Sequence, residues 1–330
     1  MSNIAVIQTA FPGDVILCTP VYESLKSARH CVVAVVRPPA ETLIRHNPYI
    51  DKLIVYDKRK GISAFLKAAA ELKAENCDTA LIIQRYLKSA LLPLFAGIDK
   101  RVGYDIAQIS SLYTDVIHYD KGKHEVERCL ALCQGFSPIS GFSPLIAITD
   151  NESTQAKQFL IQEKVNLDNL IVIAPGSVWA TKRWVGYREL ADLLWEKYHA
   201  DIVLLGSRED YEICREISEP DHIINLSGKT DLLQSAAIIK LARLAITNDS
   251  APAHIAAAVG TPVVTIFGPT VPAFGFTPYS DKAIIVENTG LYCRPCGSHG
   301  PRRCPEKHFR CMKEISARRV FDECARLLSI

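Results

Sequence analysis

No apolar stretch in this 330-residue chain approaches the roughly 18 residues that a membrane-spanning helix needs. The first residues, Met1 to Gln8, lack a basic region and run straight into a strand-like stretch. No targeting segment is therefore expected, and the chain is expected to stay in the cytoplasm. A dominant charge of one sign is also missing, since the formal net charge is +2. Nothing global points to nucleic acid or to a strongly charged partner. There is no P-loop and no Gly-x-Gly-x-x-Gly fingerprint, which argues against a kinase and a standard dehydrogenase. No Asp-x-Asp pair occurs, so a carboxylate clamp for a metal-bound diphosphate is not apparent. Internal repeats and low-complexity tracts are absent as well.

What the chain has is ordinary globular composition, 48% hydrophobic and 22% charged, with a length suited to two domains. Short apolar runs alternate with helix-period segments. The strand-like runs are Ile4–Gln8, Cys31–Val36, Leu53–Tyr56, Thr79–Gln84 and Arg101–Gly103, then Leu170–Ala174, Ile202–Leu205, His222–Leu226, Leu244–Thr247 and Pro262–Phe267. Most are continuous rather than alternating, as in strands buried on both faces. Amphipathic segments such as Tyr187–Tyr198 lie between them. This rhythm predicts doubly wound parallel sheets. It pauses at residues 137–150, which are rich in Ser, Pro and Gly, and restarts at Leu170. The division is placed at residue 155. The last segment, Ala317–Leu328, reads as an amphipathic helix.

Three polar turns follow the carboxyl ends of predicted strands, where doubly wound proteins bind ligands. After the first strand comes Phe11-Pro12-Gly13-Asp14. Asp14 reads either as a helix cap or as a general base projecting from the strand tip. The second turn, Pro175-Gly176-Ser177, leads to Thr181-Lys182-Arg183-Trp184. Lys182 is either a solvated loop lysine or a cation for a leaving diphosphate. The third is Asn248-Asp249-Ser250-Ala251-Pro252-Ala253-His254. A helix beginning there has Pro early, as helices prefer, and its N-terminus suits an anion. His254 lies near that start.

Eleven cysteines, an odd count in a chain expected to be cytoplasmic, argue against a disulfide framework. Seven are scattered and read as small buried hydrophobes with free thiols. The other four, Cys293, Cys296, Cys304 and Cys311, follow the spacing C-x2-C-x7-C-x6-C. They are either a metal site, with a structural zinc as the candidate, or reduced thiols in a folded flap. Residues 294–319 hold eight Lys or Arg against two Glu. That is either a solvated face or a contact with an anionic acceptor or membrane surface.

The order and spacing of these motifs resemble glycosyltransferase family nine, the ADP-heptose:lipopolysaccharide heptosyltransferases. The resemblance runs from Gly13-Asp14 and Asn47-Pro48-Tyr49-Ile50-Asp51 through Pro175-Gly176-Ser177 and Leu226-Ser227-Gly228-Lys229-Thr230. Its most specific block is Asn248-Asp249-Ser250 with His254, Gly260-Thr261-Pro262 and Phe267-Gly268-Pro269-Thr270. It implies an α/β fold of GT-B type, two Rossmann-like doubly wound domains facing a central cleft. Residues 1–155 would bind the acceptor. Residues 156–330 would bind the nucleotide sugar and carry the Cys-rich tail segment.

The resemblance further implies an inverting, metal-independent transfer, with Asp14 as base and Lys182 on the donor diphosphate. Asp249, Ser250 and His254 would lie under the donor phosphates and sugar, with Ser177 and Thr181 beside them and Glu209 on the ribose. The implied partners are ADP-heptose, a lipopolysaccharide inner-core acceptor and, peripherally, the inner membrane surface. The sequence departs from the family's usual pattern at Pro12, Ala251 and Ala253, where Leu, Gly and Met are common. Rival readings are a same-fold transferase or epimerase using another sugar nucleotide, or a catalytically silent module binding metal or lipopolysaccharide.

Overall fold

The computed structural model describes residues 2–220 and 222–329. The chain divides into two units, one ending at Ala147 and the other beginning at Ile148.

In the first unit the strands are β1 (Asn3–Ile7), β2 (Cys31–Val36), β3 (Lys52–Val55), β4 (Thr79–Ile82), β5 (Lys100–Tyr104) and β6 (Asp115–Ile117). The helices are α1 (Pro12–Ser27), α2 (Pro38–Ile44), α3 (Gly61–Ala74), α4 (Leu87–Phe95) and α5 (Glu125–Ala131). The strands form one sheet in the order β3-β2-β1-β4-β5-β6, parallel throughout. Central β1 sits with Ala5 between Val33 and Ala80. Its β-branched and small residues are sealed on both faces, which explains the unbroken apolar run.

The second unit repeats the plan. Its strands are β7 (Leu170–Ala174), β8 (Asp201–Leu204), β9 (Ile223–Asn225), β10 (Leu244–Asn248), β11 (Val263–Phe267) and β12 (Ala283–Glu287). Its helices are α6 (Asp150–Gln162), α7 (Tyr187–Tyr198), α8 (Tyr211–Ile217), α9 (Leu232–Leu241), α10 (Ala251–Val259), α11 (Arg310–Lys313) and α12 (Ala317–Leu328). The sheet order, β12-β11-β10-β7-β8-β9, is the first sheet's order over again, and it too is all parallel. Each sheet therefore reverses direction once, between β1 and β4 and between β7 and β10. Two such Rossmann-like units in succession make a GT-B fold.

Residue 155 falls inside α6. Thr149 caps this helix, its Oγ1 accepting from the Glu152 N–H at 3.3 Å, while Glu152 accepts from the Thr149 N–H at 2.9 Å. The helix packs against α9 and so travels with the second unit. Two strands, β6 and β12, were not expected from the sequence. Both are sheet edges, and their incomplete burial erases the continuous apolar signature. Of the seven scattered cysteines, Cys18, Cys129, Cys133, Cys214 and Cys324 are buried, while Cys31 and Cys77 are half-buried; all are free thiols.

Candidate active site

The residues that could carry chemistry stand at the two switch points. In the first unit β1 ends at Ile7, and α1 begins at Pro12, whose missing N–H costs nothing there. Asp14 occupies the helix's first turn. Its Oδ2 accepts from the Phe11 N–H at 3.1 Å, so it does serve as a helix cap. It is more than that. Burial and, next, repulsion from Glu125 push its carboxyl up to about 6, against the Phe11 N–H, Arg85 and Arg37, which pull it down. An edge of the side chain still reaches solvent. A carboxylate tuned this way is mostly ionised at neutral pH yet basic enough to take a proton.

Residues around Asp14 went unremarked in the sequence. Glu125 is 5% exposed and is held by the Tyr119 hydroxyl at 2.7 Å and Arg128 Nη1 at 3.0 Å. Arg37 lies over the Phe11 ring and Arg85 over Tyr119. Only the tertiary fold brings these charges to one strand tip. No spacing in the sequence signals it.

In the second unit the loops after β7, β10 and β11 converge. Lys182 ends a 3-10 turn (Ala180–Lys182) and is buried. Its Nζ donates to Asp249 Oδ2 at 2.5 Å and to the Asp249 carbonyl at 3.2 Å. The same Oδ2 accepts from the Thr270 hydroxyl at 2.6 Å. An ammonium has three donors. Two are engaged, and the third is available to a phosphate oxygen. Asp249 thus acts first on Lys182, orienting it, a role its sequence position did not reveal.

Asn248, the last residue of β10, ties the loops together. Its Nδ2 donates to the Pro175 carbonyl at 2.7 Å, and its Oδ1 accepts from the Trp184 N–H at 3.1 Å and the Tyr187 hydroxyl at 2.9 Å. Ser250 is the N-cap of α10 but makes no side-chain bond to that helix's N–H groups, its hydroxyl lying 3.4 Å from the Asn248 carbonyl. The positive end of α10 is therefore not closed off by its own cap. His254 is buried one turn into α10. Ser177 is buried, its Oγ accepting from the Trp179 N–H at 3.3 Å. Glu209 is exposed in a 3-10 turn (Arg208–Asp210) after β8. That turn adjoins the β7 loop, because a Cβ on Gly176 would meet the Asp210 carboxyl carbon at 2.3 Å. Glycine is required there by close approach.

The Cys-rich segment is packed onto these same loops. Thr181 Oγ1 donates to the Pro301 carbonyl, so its hydroxyl is engaged by that segment. Trp179 stacks on His299, ring planes 6° apart. The Cys296 N–H donates to the Pro269 carbonyl at 2.7 Å. Arg294 is the main tie. It reaches the Gly268, Asn288 and Thr270 carbonyls and pairs with Glu287 at 2.7 Å, its side chain 4% exposed. It is buried structure rather than part of a basic face. Arg310 and Arg318 are likewise paired, with Glu314 and Asp322. The apparent excess of positive charge in this segment is thus partly neutralised within the fold.

The four clustered cysteines are near neighbours. Burial, then the other thiols, push Cys311 up to about 11 and raise Cys296 as well. Cys296 Sγ donates to the Cys293 carbonyl at 3.0 Å, and Cys293 Sγ lies 3.9 Å from His308 Nε2. Among the described residues no three His, Cys, Asp or Glu side chains stand in a metal-holding arrangement.

The first unit holds a tuned carboxylate and the second a held cation beside a helix N-terminus, parts that a transferase uses. Comparison with known proteins agrees. The chain matches glycosyltransferase family 9 (heptosyltransferase) over residues 65–307. It is 29% identical to lipopolysaccharide heptosyltransferase 2 of Escherichia coli K12, with 99% of this chain and 98% of that protein covered. The solved structure of the E. coli ADP-heptose lipopolysaccharide heptosyltransferase II superposes with a TM-score of 0.83 at 27% identity, over 99% of this chain and 98% of that one. A family 9 glycosyltransferase from Veillonella parvula shares the fold, with a TM-score of 0.89 at 24% identity over 99% and 97% of the two chains. A family match across most of the chain, together with relatives aligned end to end, makes this protein a glycosyltransferase of family 9.

Proposed function

We propose that the enzyme transfers heptose from ADP-heptose to a lipopolysaccharide inner-core acceptor, with inversion and without a metal ion. The names of its relatives supply donor and acceptor. The observation that carries the chemistry is Asp14, a carboxylate raised to about 6 at the tip of β1. The acceptor hydroxyl gives its proton to Asp14 as its oxygen attacks the anomeric carbon. The bond from that carbon to the diphosphate breaks on the opposite face, and its electron pair leaves with ADP. Attack and departure on opposite faces invert the configuration.

Lys182 and the first turn of α10 hold the charge that develops on the diphosphate. Asp249 keeps Lys182 in place. Ser177, Ser250 and His254 line the donor side, Thr181 steadies the loop, and Glu209 is assigned to the ribose. Chelation with EDTA is expected to leave the transfer rate unchanged.

A structural zinc at Cys293, Cys296, Cys304 and Cys311 is a separate proposal. Four thiolates are a preferred zinc donor set, and Cys293, Cys296 and Cys304 lie close enough to Cys311 to add to the effect of burial in raising its thiol. Ligation needs them to turn and deprotonate. Elemental analysis of the purified protein, beside Cys296→Ser, tests it.

Titration calorimetry with ADP, UDP and GDP tests the main reading. Binding of ADP that is lost in Lys182→Ala supports it. Preference for UDP or GDP discards the heptose donor, and binding of none of the three favours a silent module. Asp14→Ala that folds and keeps wild-type transfer overturns the base.

A further inference from the structure

The first unit carries an apolar surface that neither its core nor the site above uses. On α3, Ile62 is 77% and Leu66 51% exposed. They stand one helical turn apart, on one face. On α4, Leu87, Leu94 and Phe95 are exposed too, and Tyr86 beside them. The two helices pack together, and Phe65 meets Phe95 edge-on with ring centroids 5.2 Å apart. The exposed stripes therefore join into one patch. A contiguous group of bulky apolar side chains marks an interaction surface, unlike single scattered ones.

The rim of the patch is cationic. Residues 58–73 hold five Lys or Arg against one Glu, and Lys88 is the one charged residue of α4. Arg59 pairs with Asp57 at 3.0 Å and Lys67 reaches Glu71 at 3.8 Å. Lys58, Lys60 and Lys88 have no carboxylate partner among the described residues. Burial first, then the charges of Arg37 and Lys88, push the Lys58 ammonium down to about 8. A partner of negative charge relieves that repulsion. Leucine, isoleucine and phenylalanine ringed by lysine stems suit the boundary between acyl chains and anionic headgroups.

We infer that the α3–α4 face docks the protein on an anionic lipid bilayer. Ile62, Leu66, Leu94 and Phe95 enter the acyl boundary, and Lys58, Lys60 and Lys88 meet the headgroups. The inference builds on the proposed acceptor, a membrane glycolipid. Lys58 lies within electrostatic reach of Arg37, and Arg37 within reach of Asp14. Docking by this face therefore holds the base at the bilayer surface, where such an acceptor is presented.

The test is flotation of the full chain with phosphatidylcholine vesicles containing about a quarter phosphatidylglycerol. Binding is expected there and not to phosphatidylcholine alone, and salt should weaken it. Ile62→Asp with Leu66→Asp should lower partitioning about tenfold or more. Lys60→Glu should lower it by about fivefold or more. Both variants should keep the wild-type far-UV circular dichroism and a single cooperative melt, which shows that they fold. Equal binding to neutral and anionic vesicles overturns the inference, as does unchanged binding by the apolar variant. So does a dimer in sedimentation that the apolar variant dissolves, in the absence of vesicle binding. Loss of ADP binding by the wild type would sink the transferase reading while leaving this surface intact.

Discussion

Lys182 Nζ and Asp249 Oδ2 lie 2.5 Å apart, in side chains that are 11% and 10% exposed. Removing one partner of so sheltered a pair leaves a charge with neither water nor counterion. Asp249→Ala is expected to cost about 3 kcal/mol in chemical denaturation. The double variant Lys182→Met, Asp249→Ala should regain part of that loss. Both should lose transfer, since the cation is misplaced in one and missing in the other. Equal stability of the single and double variants would show that the pair is not coupled.

Asp14 links activity to pH. With its carboxyl at about 6, kcat/KM should rise through pH 6 and level above 7, because the base acts ionised. Asp14→Asn should lose about a hundredfold or more and flatten that limb.

Stability should run the other way. A folded-state value raised above the ordinary 3.8 means the native state holds its proton more tightly than the unfolded chain. The penalty is absent below pH 4, grows between 4 and 6, and is complete above 6. Asp14→Asn is thus expected to be more stable than wild type at pH 8, by about 2 kcal/mol, and equal to it near pH 3.5. Thermal melts across that range check this. A constant difference would remove Asp14 as its source.

Arg37 pulls the Asp14 carboxyl down, opposite to Glu125. Arg37→Ala should therefore move the acid limb of the rate profile to higher pH. A limb that stays in place, or shifts lower, would show that Arg37 does not act on the base.

Gly176 has no room for a side chain, since an added Cβ falls 2.3 Å from the Asp210 carboxyl carbon. Gly176→Ala should destabilise by about 1–3 kcal/mol. Asp210→Ala in the same chain should reverse most of the change, although it loses the Ser207 contacts at 2.9 and 2.7 Å. Melting of both variants beside the wild type decides it.

Much of this plan was legible in the sequence, for a physical reason. Strands such as β7 and β10 are buried on both faces, so their apolar runs are unbroken and stand out. Turns follow their ends in plain sight, which is how Asp14, Lys182 and Asp249 came to attention. Edge strands lack that contrast, and β6 (Asp-Val-Ile) is mostly exposed. Partnerships were harder still. That Lys182 meets Asp249 depends on the adjacency of β7 and β10, a tertiary fact. Thr270 belongs to the block that carries the family resemblance, but only the sheet order aims its hydroxyl at Asp249. Arg294 looked like one more surface charge because spacing cannot tell a paired guanidinium from a free one.

Asn248 holds the Pro175 carbonyl on one side and the Trp184 N–H and Tyr187 hydroxyl on the other, from the last position of a fully buried strand. The loops it joins therefore have their conformation before any nucleotide arrives. Capturing the donor should draw little on chain entropy, so its association rate should follow diffusion and charge steering rather than loop rearrangement.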